Sequence, residues 1–174
     1  MHRPLRRDAP GSGFVERPIA AAGLRDVELA NAEAVSFDFR PVWAPPGENT
    51  ATCHPPSHGV TLGRLPDAVP PEATKVSASI VIGDERSHDV DFALVVADHP
   101  ARALQILQGG AKPAAVEAFS GWISLAAARR QRISAFRASG RLGSHLFIAT
   151  RMSNPGDNSY AQARFKDFFV MVRG

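Results

Sequence analysis

Residues 75–97 read KVSASIVIGDERSHDVDFALVVA and carry the clearest strand signal in the chain. Apolar side chains occupy every second position in two runs, a period typical of half-buried strands. These residues are Val76, Ala78, Ile80 and Ile82 in the first run and Val90, Phe92, Leu94 and Val96 in the second. Serines and aspartates between them indicate one solvated face. The polar turn Gly83–Ser87 predicts that the two runs pair as a β-hairpin.

Further strand patterns lie on both sides of this pair. The predicted strands are Val35–Pro41, with Trp43 on the same parity, and then Gly59–Leu65, Val116–Leu125, Ser144–Met152 and Tyr160–Arg173. Residues 44–56 read as a proline-rich loop. The last strand has apolar residues on both parities near its end, which predicts burial on both faces there.

Two segments have less regular patterns. Pro100–Gln108 has the spacing of a short helix, which a following Gly-Gly pair and a proline would end. Residues 126–139 fit a helix, since alanine and arginine favour one, or a loop and then a strand at Gln131–Ala138. We prefer the strand, because the glycines that follow would form a turn into the next strand.

The chain has 174 residues, of which 44% are hydrophobic and 21% charged. That length and composition are typical of one globular domain with a sizeable core. Seven or eight short strands without a long helical period predict an all-β fold, an antiparallel β-sandwich that is jelly-roll-like.

The first 17 residues differ from the rest, with four arginines, two prolines and the sequence Gly11-Ser12-Gly13. We predict a flexible basic N-terminal arm at 1–17 and a sandwich domain at 18–174. The basic start is not followed by the apolar core that a signal peptide needs. Nor is there an apolar run of about 18 residues that would span a membrane. Both the cytoplasm and the cell surface stay open as locations.

The net charge of +3, with a pI near 9.6, is too small to indicate a specific nucleic-acid-binding protein. The densest basic run consists of Arg129, Arg130, Arg132, Arg137 and Arg141, together with Phe136. It has two interpretations. The run binds phosphates or an acidic polysaccharide, or it is only a solvated face.

Catalytic and metal-binding motifs are weak. Cys53, His54 and His58 lie close together and are residue types that zinc prefers, but no fourth ligand stands at a motif spacing. A small buried cysteine and a histidine at the end of a sheet explain them as well. The charged residues of 83–89 suit a solvated turn with ordinary pKa values better than acid–base catalysis. We therefore predict no catalytic residues, no metal and no cofactor.

The strongest binding candidate surrounds the turn-rich segment 153–159. Glycan sites combine a planar apolar face for sugar C–H groups with fixed polar groups for the hydroxyls. Tyr160 would supply the face, and the polar groups would come from Arg151, Asp157, Asn158, Gln162 and Arg164. A calcium ion would need more oxygens than Asn154, Asp157 and Asn158 offer. The alternative is a tight turn between core strands, with both arginines paired to carboxylates.

Several short motifs between Arg40 and Val172 are similar to those of one family. They are His54-Pro55-Pro56, Gly59-Val60-Thr61, Arg64-Leu65-Pro66, Leu146-Phe147-Ile148-Ala149-Thr150-Arg151 and Ala161-Gln162-Ala163-Arg164-Phe165. They resemble an uncharacterised bacterial β-sandwich family akin to carbohydrate-binding modules. The resemblance implies a jelly-roll-like fold without established catalysis, often associated with surface-polysaccharide proteins. Gln162 stands where similar endings have an aromatic residue, which weakens the implied stacking on a sugar.

Together these observations predict a non-catalytic domain that recognises a carbohydrate, such as a bacterial surface polysaccharide. One alternative is a structural or assembly subunit, in which the sandwich is a scaffold and the arm binds a protein partner or a second copy. Another is an enzyme with an unusual site, which would need carboxylates and basic groups gathered in one cleft.

Overall fold

A computed structural model describes residues 13–19, 27–31, 37–41, 50–138 and 144–173. The strands in this part of the chain are β1 (Phe14–Pro18), β2 (Glu28–Asn31), β3 (Arg40–Pro41), β4 (Thr50–Thr52), β5 (Thr61–Val69), β6 (Ala73–Ile82), β7 (Val90–Ala97), β8 (Ala118–Phe119), β9 (Ile123–Leu125), β10 (Arg130–Phe136), β11 (Ser144–Met152) and β12 (Ala163–Arg173). A helix, α1 (Pro100–Leu107), follows β7. All strand pairs are antiparallel, and the strands form two sheets.

The first sheet, called sheet A here, has the order β1-β12-β6-β10, and β4 also pairs with β12. The second, sheet B, has the order β3-β2-β5-β11-β7-β8, and β9 also pairs with β7. The sheets bury a common core of aliphatic and aromatic side chains between them. At its centre the ring of Phe165 lies edge-on to Phe92, with centroids 5.3 Å apart, and stacks with Phe168. The predicted all-β antiparallel sandwich is confirmed.

A second apolar cluster covers the opposite face of sheet B. Helix α1 buries Ala103, Leu104, Ile106 and Leu107 against the side chains that β7 and β11 turn away from the main core. Pro100 begins the helix, where its missing N–H costs no hydrogen bond. The indole of Trp122 donates to the Leu107 carbonyl at 2.9 Å and so fixes the end of the helix. Sheet B is therefore buried on both faces, and the short helix predicted here is confirmed.

The predicted hairpin between β6 and β7 is wrong, although both strands exist. β6 pairs with β10 and β12 in sheet A, and β7 pairs with β11 in sheet B. The connection 83–89 therefore crosses from one sheet to the other. The residues that face away from the main core distinguish the two strands. On β6 they include serines, whereas on β7 they are Ala93, Val95 and Ala97, which pack beneath α1. Two strands with such different outer faces belong to different sheets.

The end of β12 is not buried on both faces, contrary to the prediction. Asp167 adopts a φ of 55°, and the register of β12 against β6 shifts between Lys166 and Phe169. The added residue is a β-bulge, which moves the inward-facing set from one parity to the other. Ala163 and Phe165 point inward before the bulge, and Phe168, Val170 and Val172 do so after it. Phe169 and Met171 consequently lie half-buried on the outer face.

Other expectations have mixed outcomes. Residues 130–136 form a strand, as preferred over a helix. Phe14–Pro18 forms a strand, although most of it belongs to the predicted arm. Every residue in it is exposed, so its pairing with β12 and not burial orders it. Of the strand predicted at 35–41, the described part 37–41 contains β3. Strand β4 lies within the predicted loop 44–56. Residues 1–12, 35–36 and 43 lie outside the described residues. Among the described residues, no helix is long and apolar enough to cross a membrane.

Candidate functional site

Three loops meet at one end of the sandwich, namely residues 53–60, 83–89 and 153–162. Backbone hydrogen bonds join them to one another. Gly156 N–H donates to the Ser57 carbonyl at 2.9 Å, and Gly83 N–H donates to the Gln162 carbonyl at 2.9 Å. Ser153 N–H donates to the Asp89 carbonyl at 3.1 Å. We call this surface the loop end, and these bonds give it a defined shape.

An open cleft of about 410 Å³ lies in the loop end between residues 83–89 and 153–162. Its lining residues are His88, Asp89, Asn154, Pro155 and Asp157. The His88 Nε2 and Asp157 Oδ2 atoms are 3.7 Å apart across the cleft, and both side chains are well exposed. The volume falls in the range of small-molecule sites, which is about 300–1,000 Å³.

Asp157 is held by its own turn. Ser159 N–H donates to Asp157 Oδ1 at 2.9 Å. Hydrogen bonding to Ser159 lowers the pKa of Asp157 below its ordinary value, and the nearby His88 acts in the same direction. The carboxylate stays ionised and has its second oxygen free of that turn, so it is suited to accept hydrogen bonds from a ligand.

Tyr160 adopts a conformation that is rare for an aromatic residue. Its φ is 61°, in the left-handed region that favours glycine, and 46% of the residue is exposed. The Arg86 guanidinium lies 3.8 Å from the centroid of its ring. Strained residues are concentrated at binding sites, where the surrounding structure holds them in place. Here the backbone conformation accompanies the contact of the ring with Arg86.

Arg86 is fixed in turn by Asp84. Its Nε and Nη2 atoms donate to the two carboxylate oxygens of Asp84 at 3.0 and 2.8 Å. The hydrogen bonds from Arg86 lower the pKa of Asp84 to about 2. The prediction of ordinary pKa values throughout the turn 83–89 is therefore wrong at Asp84. A bidentate contact lowers the pKa even though the turn is near solvent.

Asn158 supports the loop end from within. Its Nδ2 donates to the Pro55 carbonyl at 2.9 Å and lies 3.2 Å from His54 Nε2. His54 Nδ1 lies 2.8 Å from the Ala161 carbonyl, so the imidazole joins the first and third loops. Both side chains are thus occupied by contacts within the protein, and Asn158 positions the loop.

Cys53 is fully buried beneath the same loops. Burial raises the pKa of its thiol to about 12, which the hydrogen bond from Thr150 only partly opposes. The Thr150 hydroxyl donates to the Cys53 carbonyl at 2.7 Å. Among the described residues, no three histidines, cysteines or carboxylates are arranged to hold a metal ion. The geometry favours the interpretation of Cys53 as a small core residue.

The model of a family of unknown function, DUF6212, matches residues 3–151. The chain belongs to this family. The match includes the turn 83–89 and ends just before the third loop of the loop end. No curated protein matches the sequence.

Several solved structures resemble this DUF6212 chain at low identity. A Clostridium perfringens CBM51 module with INT domains, in complex with GlcNAc, is 10% identical with a TM-score of 0.43, and the match covers 91% of this chain and 28% of that one. A Clostridium thermocellum xylanase with CBM22 and GH10 modules, complexed with xylohexaose, is 8% identical with a TM-score of 0.40. That match covers 91% of this chain and 28% of the xylanase. A CBM61 module in complex with β-1,4-galactotriose is 12% identical with a TM-score of 0.36, and the match covers 95% of this chain and 90% of that module. The chain thus spans little more than a quarter of the Clostridium proteins, and TM-scores below 0.5 carry no argument about function.

The DUF6212 chain separates Arg151 from the other predicted site residues. Arg151 lies on the outer face of sheet B, where Nε donates to Asp91 Oδ2 at 2.9 Å. Its guanidinium also lies 4.1 Å from the Trp122 ring. Arg164 projects from sheet A, and its Nη2 donates to Gln162 Oε1 at 3.2 Å. Of the six predicted site residues, Asp157 alone lines the cleft, while Tyr160 stands on the same loop against Arg86, and Gln162 and Arg164 lie beside Gly83.

The cleft residues that sequence reasoning missed come from the turn 83–89 and from the third loop. His88 and Asp89 were read as the solvated tip of a hairpin, remote from the segment 153–160. Because residues 83–89 instead connect the two sheets, they lie over the end of the sandwich and reach that segment. The missed signal was the apolar second parity of β7, which would have placed the connection correctly.

The basic run 129–141 is also divided. Arg130 and Arg132 project outward from β10, whereas Arg137 is buried and donates through Nη1 to Ser144 Oγ at 3.2 Å. Burial lowers the pKa of Arg137, and the charge of Asp98 opposes this shift. Arg141 lies outside the described residues. The run is therefore not one surface.

Proposed function

We propose that this DUF6212 chain binds a carbohydrate in the cleft of the loop end and does not cleave it. The observation that carries the proposal is the cleft itself, which gathers two carboxylates, an amide and an imidazole on the same two loops that hold Tyr160 against Arg86. The lining is rich in polar groups and open to solvent, as a ligand covered with hydroxyl groups requires. A mostly apolar ligand would need a more apolar pocket.

The polar groups are of the types that recognise sugar hydroxyls. The carboxylates of Asp89 and Asp157 accept hydrogen bonds, and the Asn154 amide can both donate and accept. A hydrogen bond to a charged group contributes about 1.5–3 kcal/mol, compared with about 0.5–1.5 kcal/mol for a neutral one. Asp157 is the best of these acceptors because its turn holds it ionised.

Tyr160 supplies the apolar surface. Arg86 covers one face of its ring and is itself held by Asp84, so the ring is preorganised. A sugar that packs on an already fixed ring loses less of its binding free energy to ordering the protein.

The carboxylates of the loop end favour binding over hydrolysis. A general acid that protonates a glycosidic oxygen needs a raised pKa. Hydrogen bonding instead lowers the pKa of Asp157, and contact with Arg86 lowers that of Asp84 to about 2. At neutral pH Asp157 is therefore suited to accept hydrogen bonds from a ligand, whereas both oxygens of Asp84 are occupied by Arg86.

The test is a glycan-array screen of the full chain at physiological ionic strength, followed by calorimetric titration of the strongest hit. The variant Asp157→Asn keeps an oxygen for Ser159 N–H and removes the charge. We expect it to weaken binding about tenfold, which corresponds to roughly 1.4 kcal/mol. Tyr160→Gly, which removes the ring, should weaken binding at least as much.

Two controls sharpen the result. Tyr160→Phe keeps the ring and should bind as the parent does, and the hit recovered after long incubation should have unchanged mass. Absence of any hit would contradict the proposal, and so would a hit whose affinity neither Asp157→Asn nor Tyr160→Gly changes. A shortened glycan after incubation would replace recognition with catalysis.

A further inference from the structure

The outer face of sheet A is open to solvent and carries a cluster of cations. Antiparallel pairing places Arg130 and Arg164 on either side of Val81, and Arg132 and Lys166 on either side of Ser79. With strands about 4.8 Å apart, each pair is separated by about 10 Å across the sheet. Residues two apart along a strand are separated by about 7 Å. The Cα atoms of the four residues thus form a rectangle, and we call the surface that they occupy the basic face.

The basic face gathers four cations without counter-charges close to them. Several arginines elsewhere pair with carboxylates, as in Arg64 with Glu28, Arg102 with Glu117 and Arg151 with Asp91. Among the described residues, no carboxylate lies within 4.0 Å of the basic groups of the four cations. The carboxylates on or beside this face belong to Glu16 and Asp167. Unpaired cations in a row attract an anion that brings its own charges.

Arg132 is held flat on the sheet. Its Nη1 donates to Ser79 Oγ at 3.1 Å, and its Nη2 donates to Ser77 Oγ at 2.8 Å and to the Asp167 carbonyl at 3.2 Å. The guanidinium lies 5.1 Å from the Phe169 ring centroid. None of these neutral partners removes the charge, so Arg132 presents a fixed cation whose ordering is complete before a ligand binds.

We infer that the basic face is a second binding site and that it takes an acidic polysaccharide. Four cations on two strands of an open sheet, with Arg132 fixed by hydrogen bonds, fit a polymer that carries acid groups along its length. The site is separate from the cleft of the loop end, and it goes beyond the proposed function of that cleft. Arg164 and Gln162 lie where the basic face meets the loop end, so one chain could run over both.

The aromatic residues of sheet A favour a polysaccharide over a single-stranded nucleic acid. Nucleic acids that lack a sequence-specific site bind by stacking bases on open aromatic rings. On this face, Arg132 covers Phe169 and Lys75 lies 5.4 Å from the Phe136 centroid. Arg173 lies 5.7 Å from the Phe14 centroid. Each ring has a cation beside it, and of the three only Phe136, 68% exposed, has a largely open surface, so successive bases would find no row of stacking platforms.

The test uses the full chain and two polymers that differ in charge, dextran sulfate and neutral dextran, with polygalacturonate as a carboxylated probe. The double variant Arg130→Gln/Lys166→Gln removes two cations that have no hydrogen-bond or ion-pair partner among the described residues. The matched control is Lys112→Gln, an exposed lysine in the loop after α1, on the sheet B side. We expect the double variant to weaken binding of an acidic polymer about tenfold at low salt, as counterion release by two cations implies.

The expected pattern is binding of dextran sulfate or polygalacturonate but not of dextran, weakened by the double variant and unchanged by Lys112→Gln. Tyr160→Gly should leave it intact, which separates this site from the cleft. The inference is overturned if neither acidic polymer binds or if Lys112→Gln weakens binding as much as the double variant. It is also overturned if an oligothymidylate or anionic phospholipid vesicles bind more tightly than both polymers. Equal melting temperatures of the variants show that folding is unaffected.

Discussion

The two sheets have the same pleat but differ in the polarity of their outer faces. Sheet B turns Ala93, Val95 and Phe147 outward and covers them with α1 and Trp122. Sheet A turns serines, arginines and lysines outward and has no layer over them among the described residues. The alternation that identifies a strand is therefore only half of the information. The residue types on the second parity tell whether that face is covered, and so which sheet a strand belongs to.

The largest test of this comparison exchanges a phenylalanine on each outer face for alanine. Phe147 is fully buried under the helix layer, whereas Phe136 is 68% exposed on sheet A. Phe147→Ala should lower the free energy of unfolding by about 3–5 kcal/mol through lost burial and the cavity left behind. Phe136→Ala should change it by about 0.5 kcal/mol or less. Urea denaturation measures both, and similar losses would mean that sheet A has a cover of its own.

A smaller effect is expected from the arginines of the two faces. Arg151→Ala removes the partner of Asp91, a residue only 8% exposed, and uncovers Trp122. We expect a loss of about 1–3 kcal/mol, because a buried carboxylate is left with fewer hydrogen bonds. Arg130→Ala should cost about 0.5 kcal/mol or less. If the two variants unfold at the same urea concentration, the arginines of the two faces do not differ in structural role.

The connection between the sheets should respond to acid. The folded pKa of Asp84 is about 2, below its unfolded value of 3.8, so its contribution to stability is complete above pH 4. That contribution is lost as the pH falls from about 4 toward 2, when protonation weakens the contact with Arg86. Carboxyl NMR titration measures the pKa directly. Arg86→Gln should raise it toward the ordinary value near 3.9, and an unchanged pKa in that variant would refute the assignment.

The smallest effect is expected at Tyr160, which lies next to this connection. Glycine adopts the left-handed conformation without strain, so Tyr160→Gly relieves the backbone while it removes the contact with Arg86. The two effects oppose each other, and the melting temperature should change by no more than a few degrees, or about 1 kcal/mol. Tyr160→Ala loses the contact and retains the strain, so it should be the less stable of the two. The reverse order would mean that the ring, not the backbone, determines stability here.

Strands were predictable from the sequence because burial on one face imposes a two-residue period. Ser144–Met152 forms a strand with the predicted bounds, and 130–136 forms one where a helix was also open. Pairing was less predictable, since β6 and β7 lie next to each other in the chain but in different sheets. Partner choice depends on contacts between residues far apart in sequence, which a local period does not report.

The candidate site was predictable in part for the same reason. Asp157 and Tyr160 are predicted site residues because they lie in one turn with suitable chemistry, and of the two Asp157 lines the cleft. Arg151 was wrongly grouped with them, because a two-residue period places successive side chains on opposite faces but does not say which face a turn continues. His88 and Asp89 reach the cleft only through the crossing between the sheets, which no local pattern indicated.

The position of β12 has a consequence for the order in which the chain folds during synthesis. β12 lies inside sheet A, where it pairs with β1, β4 and β6, yet it follows all three in the chain. As the ribosome releases the polypeptide, β1 and β4 have no partner in sheet A until β12 emerges, whereas β5, β7 and β11 can already assemble sheet B. Long waits for distant partners slow folding and leave strand edges unprotected. A nascent chain stalled before residue 163 should therefore be a substrate for chaperones, with β1 and β4 unpaired.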